Sequence, residues 1–103
     1  MTPRYRIEYS PRAYAEIAAI YAYIAQDSVD HAEGMVDRIV AAIDLLGTAS
    51  HRQRVYDPKG RLGGEVFSLP VPPYMVFFRI SEQIAMVRIA RIRHGAQRPL
   101  KQV

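Results

Sequence analysis

From Arg4 to Tyr9 the chain alternates charged residues with aromatic or aliphatic ones (Arg-Tyr-Arg-Ile-Glu-Tyr), the period of a strand with one buried face. Ser10-Pro11 follows as a helix N-cap with proline at the first helical position, where its missing N–H does no harm. Tyr14, Ile17, Tyr21 and Ile24 then recur at spacings of three and four and predict a helix to about Gln26, with its core stripe on these residues. Ala13, Ala18, Ala19 and Ala25 raise its helix propensity. Asp27 and Ser28 break the pattern and cap a second helix, whose apolar stripe runs from Ala32 through Met35, Ile39 and Ile43 to Leu46, with Gly47 as its expected stop. So short a connection predicts an antiparallel helical hairpin with both stripes turned toward a sheet. Ala19, Ile20 and Tyr23 on the first helix and Val40 on the second lie off the main stripes, which predicts a second, outward apolar strip.

Thr48 to Gly64 is polar and reads as a basic loop containing His51, Arg52, Arg54, Lys59 and Arg61. The period then changes to two. Glu65 to Leu69 predicts a short strand, Pro70 to Pro73 a turn, Tyr74 to Ile80 a strongly β-prone strand, Ser81-Glu82-Gln83 a tight hairpin, and Ile84 to Arg93 a last strand ending at His94-Gly95. The expected order is β-α-α-β-β-β, an α+β fold with a helical hairpin packed on a small, mainly antiparallel sheet. With 103 residues, the chain is expected to form a single domain over 1–103.

Composition narrows the chemistry. There is no cysteine, which excludes disulfides, thiolate metal sites and cysteine nucleophiles. The first apolar run is interrupted by Glu16 and Gln26, so neither a signal peptide nor a membrane span of about 20 residues is expected. These features predict a soluble, cytoplasmic protein without membrane association. Fourteen basic residues against ten acidic ones give a formal charge of +4, and twelve of the fourteen are arginine. Arginine grips phosphate or carboxylate with a planar fork of donors and keeps its proton near neutral pH, so it holds anions but does not act as a base.

Arg79, Arg88, Arg91, Arg93 and Arg98 fall within twenty residues, and the basic loop around Arg61 can add to the same end of the sheet. For Arg79 and Arg88 a solvated face paired with Glu65, Glu82 and Asp57 is an equally good account. From Arg91 to Arg98 few acids are near in sequence, which predicts a basic rim for an acidic partner. Cutting RNA without a metal needs a base, an acid and cations to hold the phosphate. His94 is the one plausible proton carrier, though a histidine hydrogen-bonding the end of a strand is the simpler account. His31 and His51 read as solvated residues, and no spacing among the three histidines resembles a metal site. No cofactor is expected.

The basic-aromatic first strand, the Ser10-Pro11 start of the helical hairpin, the Tyr74-Met-Val-Phe-Phe78-Arg-Ile80 strand and the closing Arg91-Ile-Arg-His94-Gly95-Ala96 together resemble the RelE/ParE toxin superfamily of type II toxin–antitoxin systems. The closing run, His94-Gly95-Ala96 followed by Gln97-Arg98, is most similar to the ParE branch, with its arginine one place late. Family members often carry an arginine in the strand before the proline turn, where this chain has Glu65-Val66-Phe67-Ser68, and a tyrosine where Phe78 stands. Both departures remove polar groups from a region that the ribonuclease branch uses for RNA.

The resemblance implies a plasmid-stabilisation type toxin that inhibits DNA gyrase by binding, has no catalytic residues of its own, and is held in a hetero-oligomer with a ParD-like cognate antitoxin. It implies target binding by Arg61, Arg79, Arg91, Arg93, His94 and Arg98, and antitoxin binding by Ala19, Ile20, Tyr23 and Val40. Two alternatives stay open. One is a RelE-like ribosome-dependent mRNA endoribonuclease, with Arg61 and Arg79 holding phosphate and His94 moving a proton. The other is a non-toxic antitoxin-binding module of the same fold.

Overall fold

A computed structural model describes residues 4–49, 53–56, 64–97 and 100. Strand β1 (Arg6–Tyr9) leads into helix α1 (Pro11–Ala25), helix α2 (Val29–Asp44) and a short helix α3 (Leu46–Ala49), followed by strands β2 (Arg54–Val55), β3 (Phe67–Val71), β4 (Tyr74–Ser81) and β5 (Met86–His94). Helix α1 starts where a capping serine and a first-turn proline place it: Ser10 Oγ accepts the Ala13 N–H at 3.0 Å. The same hydroxyl donates to the Ala90 carbonyl at 2.9 Å, tying the helix start to β5. Ser28 caps α2 in the same way through the His31 N–H.

The strand order is β1-β5-β4-β3-β2, with β1 parallel to β5 and the other neighbours antiparallel. Both main helices cover one face. The core forms where Ile39, Ile43 and Leu46 meet Phe78, Val76, Val87 and Ile89, all at most 1% exposed. Phe67 and Phe78 stack across β3 and β4 with ring centroids 5.4 Å apart.

Several expectations shift by a residue or two, each for a physical reason. On α1 the stripe is turned: Tyr14 is 71% exposed, while Ala13 and Ile20 are buried with Ile17 and Ile24 beside them. Positions 13, 17, 20 and 24 satisfy the helical spacing as well as 14, 17, 21 and 24 do, and the small Ala13 lets the helix approach the sheet. Tyr14 instead lies edge-on against Tyr9, at 6.3 Å. Gly47 does not stop a helix; it lies within α3, where its carbonyl accepts the Tyr5 N–H at 2.7 Å and a Cβ would stand 3.2 Å from the Tyr5 carbonyl.

The region read as one basic loop, Thr48 to Gly64, takes in the end of α3 and the two-residue β2. Strand β3 continues through Pro70, because β2 reaches only Phe67 and Ser68 and leaves Pro70 on an edge where no N–H is required. The last hairpin turns at Glu82–Ala85 rather than Ser81–Gln83, with Ala85 at φ 49° and Ile84 outside the strand.

Candidate functional site

One irregularity organises the arginine-rich end of the sheet. Phe77 pairs with Arg91 but Phe78 pairs with Ile89, so Ala90 is an extra residue in β5. Alternation puts Val87 and Ile89 on the helix side, and the bulge resets it so that Ile92 is also core. Arg91, now in register with Phe77, reaches α1 through its long side chain. The Glu16 carboxylate accepts from Arg91 Nε at 3.0 Å and from Nη2 at 2.8 Å, and its other oxygen takes the Ile92 N–H at 2.8 Å. Arg91 is 9% exposed and is therefore not part of the basic rim expected from sequence. Its acid is 75 positions away in the chain, out of reach of a local reading, although Glu16 as the sole acid of α1 is a signal that could have been followed.

The remaining arginines divide. Arg93 is half-buried, and its Nε is buried with no hydrogen-bond partner among the described residues. Arg79 sits on the helix-free face of β4, directly across from Arg88 of β5. Arg88 pairs with Glu8 of β1, and Asp57, one of the acids expected to face it, lies outside the described residues. Arg61 and Arg98 lie outside the described residues.

His94 is exposed at the end of β5, with its ring edge-on to Tyr74 at 5.5 Å. Its Nδ1 accepts the Ala96 N–H at 3.0 Å, which places the proton of the neutral ring on Nε2. Its own N–H donates to Gln97 Oε1 at 2.9 Å. Next to it the Gly95 N–H donates to the Pro73 carbonyl at 2.8 Å, and a Cβ on Gly95 would stand 3.3 Å from that oxygen. The closing His-Gly pair thus fastens the last turn onto the turn between β3 and β4. His94 pairs with Tyr74 at one end of β4 and Arg88 with Arg79 near the other. Tyr74 and Arg79 are five residue steps apart along the strand, about 17 Å at 3.4 Å per step. The two described members of the expected ribonuclease set are therefore not brought together.

A groove of about 620 Å³ runs between α1 and this end of the sheet, lined among others by Glu16, Ala19, Ile20, Tyr23, Tyr74, Ile92, Arg93 and His94. Three of the residues expected to meet an antitoxin and two expected to meet a target thus border one surface. Ala19 and Tyr23 stand open to solvent, Tyr23 at 72%. Ile20 is 8% exposed and forms the floor instead of projecting outward, because the α1 stripe is turned. Val40 is half-buried on α2, away from this groove.

Among the described residues no group of three histidines and carboxylates could hold a metal ion, and none of their helices is long and apolar enough to cross a membrane. Tyr9, packed where β1 meets α1, has its hydroxyl pushed above the ordinary value of 10.0, first by burial and then by the negative charge of Asp44 and the neighbouring Tyr14.

The chain is similar to known proteins in sequence and in fold. The model of the ParE toxin of the type II toxin–antitoxin system parDE matches residues 7–99. Toxin RelE2 of Caulobacter vibrioides is 34% identical over 88 residues, covering 84% of this chain and 90% of that protein. A chain of the chromosomal ParDE toxin–antitoxin system from P. aeruginosa superposes with a TM-score of 0.71 at 21% identity, covering 88% of this chain and 96% of that one. A chain of the toxin–antitoxin complex RelBE2 from Mycobacterium tuberculosis does so with a TM-score of 0.67 at 17% identity, covering 94% and 98%. The two structures share the fold, and the match over residues 7–99 places this chain in the ParE toxin family of type II toxin–antitoxin systems, within the RelE/ParE superfamily.

Proposed function

We propose that this toxin acts by binding and inhibiting DNA gyrase rather than by cutting RNA. The observation that carries the reading is the separation of His94 from Arg79 along β4, at opposite ends of the strand. Metal-free RNA cleavage needs proton-transfer groups and phosphate-holding cations within hydrogen-bond reach of one reacting phosphate. Here the histidine fastens a turn through Nδ1, Arg91 is held by Glu16, and the cations that remain suit adhesion. The family match supports the same reading. We further propose that a cognate antitoxin lays an apolar segment along the groove beside α1, against Ala19 and Tyr23 with Ile20 as its floor, and holds the toxin in a hetero-oligomer.

A second reading rests on the relative named Toxin RelE2, under which the chain would be a ribosome-dependent endoribonuclease. Two assays on the full chain separate them. Added to bacterial gyrase and relaxed plasmid, the toxin should stall supercoiling or trap cleavage complexes. Added to a purified translation system, it should leave mRNA intact. Cut mRNA in the ribosomal A site with normal supercoiling would replace the first reading by the second, and inactivity in both assays would leave an antitoxin-binding module without a poison.

A further inference from the structure

We propose that Arg93 takes a side-chain carboxylate from the antitoxin, an inference that rests on the antitoxin lying in the groove beside α1. Arg93 then recognises a protein partner, where the sequence pointed only to the target.

Inside the toxin this guanidinium is left unsatisfied. Arg93 is half-buried near the end of β5, its Nε is buried without a hydrogen-bond partner, and it forms no ion pair among the described residues. A buried donor left unpaired costs free energy, and a cation drawn out of water without a counter-charge costs more. The one carboxylate among the residues that line the groove is Glu16, and it is already engaged. One of its oxygens accepts from Nε and Nη2 of Arg91, and the other takes the Ile92 N–H. The counter-charge for Arg93 is therefore left to a partner.

The walls of the groove identify the class of that partner. Ala19, Ile20, Tyr23, Tyr74 and Ile92 give it an apolar lining that anchors aliphatic or aromatic side chains of a peptide, which a polynucleotide backbone does not carry. Arg93 adds a single cation to that lining, and a carboxylate on a guanidinium makes hydrogen bonds roughly twice as strong as neutral ones. The matching segment is thus apolar with one aspartate or glutamate. Arg93 also borders a second cleft, of about 320 Å³, together with Tyr56, Met75 and Phe77. A carboxylate seated on Arg93 takes one cation out of the arginine-rich end of the sheet, so antitoxin and target compete for the same side chain.

The test is a double-mutant cycle between the full-length toxin and the antitoxin encoded at its own locus, read by calorimetric titration. Arg93→Met should weaken the complex at least about tenfold. It should leave the thermal midpoint of the toxin unchanged or higher, because it removes an unpaired donor and keeps an apolar stem. Each aspartate and glutamate of the antitoxin is then changed to its amide. One such change should weaken binding to the parent toxin by a similar factor, yet alter binding to Arg93→Met by less than about twofold. Additive effects at every antitoxin acid, or full affinity of Arg93→Met, would overturn the proposal. Tyr23→Asp separates that failure from failure of the groove itself. Full affinity of Arg93→Met with a loss in Tyr23→Asp removes the carboxylate contact alone, whereas full affinity in both variants moves the antitoxin off the groove.

Discussion

Glu16 holds Arg91 by a two-point contact, with Nε at 3.0 Å and Nη2 at 2.8 Å from one carboxylate oxygen, across 75 residues of sequence. Its second oxygen caps the Ile92 N–H at the bulge, so one side chain fixes both α1 and the face that β5 presents. Removing Glu16 alone strands a charge that is 9% exposed. Glu16→Ala should lower unfolding free energy by about 2–4 kcal/mol, toward the lower part of the range for breaking a buried ion pair because both side chains keep some water. Glu16→Leu combined with Arg91→Met should lose less than Glu16→Ala, since no unpaired charge remains. Urea denaturation of the three proteins checks both statements, and a double variant less stable than Glu16→Ala would contradict the second.

Tyr9 makes stability depend on alkaline pH. Its hydroxyl titrates above the ordinary value of 10.0 in the folded chain, chiefly through burial, so above that value the unfolded chain loses this proton first. The contribution is fully present below about pH 10 and is lost as pH rises through the higher folded value. Tyr9→Phe should flatten the stability profile above about pH 10, relative to the parent, and remove one late-titrating tyrosinate from the absorbance titration. An identical alkaline profile in the two proteins would show that Tyr9 does not contribute.

His94 separates inhibition by binding from catalysis. Its Nδ1 is occupied by the Ala96 N–H, so the binding reading makes it a fastening for the last turn. Induced in cells, His94→Ala should still arrest growth, with folding stability lowered by about 1 kcal/mol for one lost hydrogen bond. Toxicity kept by His94→Ala removes His94 from any catalytic role; toxicity lost with antitoxin affinity and stability intact would make it a residue that touches the target, and cut mRNA in the parent alone would then mark that role as chemical.

Tyr23 tests the groove. It is 72% exposed, so replacing it leaves the core undisturbed, whereas Ile20 beneath it is 8% exposed. Tyr23→Asp should weaken antitoxin binding at least about tenfold, as removal of an interface aromatic does, while changing toxin stability by less than about 0.5 kcal/mol. Ile20→Ala should lower stability by about 2–4 kcal/mol as a core truncation. Calorimetric binding and denaturation of the two variants give both numbers, and unchanged antitoxin affinity of Tyr23→Asp would place the antitoxin elsewhere.

The elements set by neighbours in the chain are legible in the residues themselves. Ser10 with Pro11 and Ser28 mark the helix starts within one turn of the hydrogen bonds they make. The aromatic and β-branched run through Phe77 and Phe78 announces the central strand in the same way. Relations between distant segments are a different matter. The parallel pairing of β1 with β5 and the edge that tolerates Pro70 depend on which strands become neighbours. So do the bulge at Ala90 and the pairing of Arg91 with Glu16. A one-residue change in register or in helix rotation keeps every local preference satisfied while exchanging buried for exposed positions, as between Tyr14 and Ala13. That degeneracy is lifted only when hydrogen bonds and packing across the folded chain select one arrangement, and the availability of each arginine is settled there.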